Sequence, residues 1–138
     1  MGEEKFTEFC VDVLKEEGYS PKIDEDGDVT FKCEGSTLLL DIHEDDPDYM
    51  CLVHLCECKC ENETERQKLF NTTAEINEEF KIIKISVEGE LGSELVVFKV
   101  EALVDSREQF KLHLERWIEL LMSVPREFYE KLEAASQE

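Results

Sequence analysis

The chain has 138 residues, enough for one domain with one sizeable core. Its 35 Asp and Glu stand against 15 Lys and Arg, and a formal charge of -20 repels phosphate backbones and argues against a nucleic-acid partner. The 41% of residues that are hydrophobic fall in periodic blocks, so the acidity does not mean disorder, and no apolar run approaches the ~20 residues of a membrane span.

The first block, from Glu3 to about Glu17, places Phe6, Phe9, Cys10, Val13 and Leu14 on one helical stripe. Gly18 sits where a helix takes a left-handed cap, and Pro21 discourages continuation. Asp24-Glu25-Asp26-Gly27-Asp28 is a turn signal. Val29, Phe31 and Cys33 then alternate with polar residues as a half-buried strand, and Ile23 can add a short strand before the turn. Glu34-Gly35-Ser36 turns the chain into a second alternating segment, Leu38 to Ile42. The polar loop Asp45-Asp46-Pro47-Asp48 leads to a third strand, from Tyr49 to about Cys58. Three strands with short connections predict an antiparallel meander.

From about Glu61 to Phe80 the pattern is helical again, with Leu69, Phe70, Thr73, Ile76, Asn77 and Phe80 on its less charged face. Ile83, Ile85 and Val87 alternate, a turn spans Gly89 to Gly92, and Leu95 to Val104 is a long apolar strand. Asp105 or Ser106 can cap a final helix whose stripe is Phe110, Leu114, Trp117, Ile118 and Leu121. Pro125 is expected to open a short separate continuation holding Phe128, Tyr129 and Leu132, and residues 134–138 are expected to fray. The order is α-β-β-β-α-β-β-α in a single domain spanning 1–138, an α+β fold with an antiparallel sheet packed against helices.

Particular residues along this order resemble the YbjN-like family within the type III secretion chaperone-like fold. They are Gly18-Tyr19 closing the first helix, Asp26-Gly27-Asp28-Val29-Thr30-Phe31 leading into Gly35, and Glu44-Asp45-Asp46-Pro47 before the third strand. Asn77 ahead of the Lys81–Val87 strand and Val100-Glu101-Ala102 before an acidic cap complete the likeness. The resemblance implies a bacterial binding protein without its own chemistry, a homodimer that holds an extended client segment by sheet-edge pairing and apolar pockets. YbjN-like proteins are linked to regulation. The high negative charge favours a basic protein or peptide partner. Aromatic and aliphatic anchors carry much of the energy of protein interfaces, and Phe128, Tyr129, Leu132, Leu69 and Phe70 are the candidate partner-binding residues.

The alternative function is a cysteine-based metal or redox sensor. His54, Cys56 and Cys58 would share one strand face, with Cys60 joining if the strand persists. Same-face neighbours along a strand lie ~6–7 Å apart, however, too far for a tetrahedral site without a bend. Half-buried strand residues are the better account of this segment. The chain opens on charge, Met1-Gly2-Glu3-Glu4-Lys5, so the six cysteines are expected to be reduced thiols in a cytoplasm. The Asp24–Asp28 run lacks acidic residues at the ends of a calcium loop, and Glu44, Asp45, Asp46 and Asp48 suit a solvated loop better than a cation site. No phosphate loop, nucleophile elbow or His-Glu-x-x-His helix is present, so no enzyme activity and no cofactor are expected. A Cys51–His54 or Cys56–His43 pair would need proximity in space.

Overall fold

The structure, a computed structural model, describes residues 3–43 and 45–137, with side chains from Phe6 onward. Glu44 of the acidic loop therefore lies outside the described residues.

Among the described residues, three helices and six strands follow in the order α1 (Glu3–Glu16), β1 (Lys22–Ile23), β2 (Val29–Cys33), β3 (Ser36–Asp41), β4 (Tyr49–Glu57), α2 (Glu63–Glu79), β5 (Ile83–Glu88), β6 (Leu95–Leu103) and α3 (Arg107–Ser136). The strands form one antiparallel sheet in the order β1-β2-β3-β4-β6-β5. The fold is the expected α+β arrangement, and the short strand at Ile23 is present.

Local chemistry explains the element ends. At Gly18, φ is 94°, and the amides of Gly18 and Tyr19 return to the carbonyls of Lys15 (3.0 Å) and Leu14 (2.9 Å). That is a Schellman cap, and only glycine adopts its central conformation cheaply. Tyr19 then packs edge-on against Phe31, 5.2 Å between ring centres, tying the end of α1 to the sheet. Ser106 caps α3 by accepting from the Gln109 amide (3.2 Å), while the Gln109 side chain accepts from the Asp105 amide (3.1 Å). The Asp24 carboxylate accepts from the amides of Asp26 and Asp28 (2.9 and 3.0 Å), so this acidic run is a hairpin turn.

The core lies between one face of the sheet and the helix layer. Phe31, Leu38, Leu52 and Phe98 from the sheet meet Phe9, Leu14, Leu69, Phe110 and Leu121 from the helices. α3 lies between α1 and α2 and touches both.

One expectation about α3 needs correction. Pro125 does not begin a separate helix; it lies buried inside one 30-residue helix that runs on to Ser136. Proline lacks the N–H that would bond the carbonyl of residue 121. His54 on β4 supplies the missing donor, with its Nδ1 2.7 Å from the Leu121 carbonyl oxygen. Nδ1 therefore carries a proton. The sheet repairs the helix, and α3 continues through Pro125.

Candidate functional site

The expected partner-binding residues separate into two groups. Phe128 and Leu69 are completely buried in the core, so they have no surface to offer a partner. This corrects their assignment. Phe128 lies seven residues beyond Leu121 and so continues the buried stripe, meeting Phe98 edge-on at 5.5 Å. Leu69 is the corresponding core residue of α2. Phe70 is 40% exposed beneath the Arg66 guanidinium, while Tyr129 and Leu132 are half-buried at the margin of the core.

The residues of the sensor alternative do not converge. Strand β4 ends at Glu57, so Cys58 and Cys60 leave the strand face. His54 spends Nδ1 on α3, and the Cys60 amide bonds Glu94. Among the described residues, no three His, Cys, Asp or Glu side chains are arranged to hold a metal ion. Burial is the leading cause that pushes every one of the six thiols up, Cys60 to about 11 with help from the nearby Glu94 carboxylate. Reactive sensor thiols need the opposite surroundings. Cys51 and His54 project to opposite faces of β4, because odd and even positions alternate. Cys56 shares His54's face at the far end of β4 from His43, which packs on Tyr49 at 4.8 Å.

The helices leave the other face of the sheet uncovered. An apolar seam crosses it, formed by Cys51, Val53 and Val97 with Leu39 and Tyr49 against them. Cross-strand register places Leu39 beside Val53, and Val97 beside Leu55, which is 49% exposed. Beside the seam is a groove bounded by Thr30, Ser36, Thr37, Leu39, Val53 and Leu55. At one end Tyr49 donates to Glu101, and Lys84 pairs with Glu101 at 2.6 Å. The strand residues facing this side carry Lys22, Lys32, Lys84 and Lys99 against Asp41, Glu57, Glu88 and Glu101. The face is thus nearly neutral on a chain of charge -20.

The sheet edges are poorer sites. β1 spans two residues. On β5, the side-chain amide of Asn77 from α2 donates to the Ile85 carbonyl and accepts from the Ile85 amide, both at 2.8 Å. Asn77 thus stands where a neighbouring strand would pair and blocks the middle of the edge. Asn77→Ala should cost about 1–2 kcal/mol for the two lost bonds. It should also raise concentration-dependent association, measured by denaturant unfolding and sedimentation velocity; unchanged association would contradict the blocking role.

Glu94 ties the far end of the sheet together. Its Oε1 accepts from the amides of Cys60 (3.1 Å) and Gly92 (2.9 Å), and its Oε2 accepts from Arg66 (3.0 Å). Arg66 also donates to the Gly89 carbonyl at 3.1 Å. Gly89 is required there, since its φ is 95° and a Cβ would strike the Ser93 carbonyl. Burial acts to raise the Glu94 carboxyl, but the backbone amides of Cys60, Glu94 and Gly92 outweigh it and hold it at about 2. Between about pH 4.5 and pH 2 the unfolded chain binds this proton more readily than the folded one. The stabilisation from Glu94 is therefore complete above that window and lost as pH falls through it. Glu94→Gln should be destabilised at neutral pH and show a shallower acid loss of stability in urea titrations; an identical acid profile would contradict the role.

No family model matches the chain, and no curated protein matches it. Solved structures do. YbjN from E. coli, a proposed transcription regulator, is similar over 94% of this chain and 91% of its own, with a TM-score of 0.69 and 13% identity. An uncharacterized protein from Methanothermobacter thermautotrophicus is similar over 92% of this chain and 99% of its own, with a TM-score of 0.62 and 10% identity. The fold is YbjN-like.

Proposed function

We propose that the chain is a non-catalytic protein-binding domain, homodimeric, that engages protein through the uncovered face of its sheet. The observation that carries this reading is the apolar seam on a nearly neutral face without a helix layer, where Leu55 is 49% exposed and Leu39 half-buried beside the buried Val53 and Val97. Like charges oppose contact between copies elsewhere on so acidic a chain. From strand spacing and rise, the face measures roughly 24 Å by 20 Å, which is at the small end beside standard interfaces that bury about 800 Å² per partner. The E. coli fold neighbour is a proposed transcription regulator. A charge of -20 opposes direct DNA contact here, so a regulatory role would act through proteins, with basic segments favoured at the acidic helix layer.

Photo-crosslinking tests the face. A benzophenone side chain at position 55 should join two copies, whereas one at Leu112, 74% exposed on α3, should not. Crosslinks from position 112 and none from position 55 would sink the assignment.

A further inference from the structure

A second surface groove differs from the seam in chemistry. It lies where β6 gives way to α3, holds about 360 Å³, and is lined by Ile82, Ala102, Leu103, Val104, Gln109, His113, Arg116 and Trp117. Three observations single it out.

The first is backbone strain. Ile82 has φ of 78°, a conformation that β-branched residues avoid, in the connection between α2 and β5 where glycine would be at ease. The second is exposed apolar surface. Ile82 is 45% exposed and Leu103 77% exposed, so strain is accepted to hold a large aliphatic side chain in water. The third is charge. In a chain with 35 carboxylates, none lines this groove. Arg116 makes no ion pair among the described residues, unlike Arg66 and Arg107. Gln109, His113 and Arg116 therefore present N–H groups beside an aliphatic floor.

We propose that this groove binds a partner peptide segment in which an apolar side chain stands next to a carboxylate. The apolar side chain packs on Ile82, Leu103 and Trp117, and the carboxylate pairs with Arg116. The whole-chain charge favours basic peptides, so a local preference for an acidic one would be the groove's own signature.

Trp117 is the only tryptophan and lines the groove, so its fluorescence reports occupancy. Two end-blocked octapeptides serve as probes in physiological salt, one alternating leucine with glutamate and the other leucine with lysine. The glutamate peptide should shift Trp117 fluorescence saturably and bind roughly tenfold more tightly than the lysine peptide. Arg116→Glu should abolish that preference, and Arg116→Lys should keep most of it. Ile82→Gly, whose backbone suits the positive φ, should fold and bind more weakly. Leu55→Arg, toward the other end of the sheet, should bind as the wild type does, which separates this groove from the sheet-face reading. No saturable shift, equal or reversed peptide preference, or an Arg116→Glu variant indistinguishable from wild type would each overturn the proposal.

Discussion

Phe128→Ala should destabilise the fold by about 3–5 kcal/mol, the range for removing a buried aromatic side chain. Phe128 has no exposed surface and contacts Phe98 and Tyr129 edge-on at 5.5 and 5.3 Å. Its loss leaves a cavity between α3 and the central strands that neighbouring side chains fill only in part. Urea unfolding followed by circular dichroism measures the effect. A residue whose role was partner contact would behave differently, leaving stability near wild type and weakening association alone. A change under about 1 kcal/mol would place Phe128 outside the core.

His54→Leu should cost about 1–3 kcal/mol, because it strands the Leu121 carbonyl in a buried helix. The informative measurement is a double-mutant cycle with Pro125→Ala. Alanine restores the backbone N–H that proline lacks, so the helix can satisfy Leu121 by itself. In that background His54→Leu should lose much of its cost, giving a coupling energy of about 1 kcal/mol or more. Additive effects would mean that His54 and Pro125 act independently, contrary to the 2.7 Å contact with the Leu121 oxygen.

These two residues show where pattern reading stops. Element order and the antiparallel sheet are legible in the sequence because alternation and helical stripes mark which side chains a folded chain must bury. Gly18, Ser106 and the Asp24–Asp28 turn declare themselves because their chemistry is local, within a few residues. Pro125 is different. Whether proline ends a helix depends on what happens to the carbonyl it abandons, and here the answer is a histidine 67 residues away in sequence. Treating Pro125 as a break also cut Phe128 off from the stripe it continues and made a core residue resemble an interface anchor.

The same limit applies to the site. Asn77 stands out in the sequence as a polar residue on a moderately apolar helix face and as part of the family resemblance, but its pairing with Ile85 exists only once α2 lies beside β5. Glu94 is one acidic residue among 35, and no spacing marks it as the one buried among the described residues. The His54–Cys60 segment looks like a ligand set because period-two spacing assumes that the strand continues, whereas β4 ends at Glu57. The uncovered face escapes sequence reading for a further reason. Alternation shows that Leu39, Val53, Leu55 and Val97 lie opposite the main core, but not that all three helices pack on the other side.

Light scattering of the purified chain, coupled to size exclusion across a range of concentrations, tests the central claim most directly. Wild type should have the mass of two 16.1 kDa chains, and Leu55→Arg, with an unchanged circular dichroism spectrum, should shift to the mass of one. A wild type that stays monomeric throughout, or a Leu55→Arg variant as dimeric as the wild type, would contradict the assignment of the sheet face as the surface where the protein meets its partner.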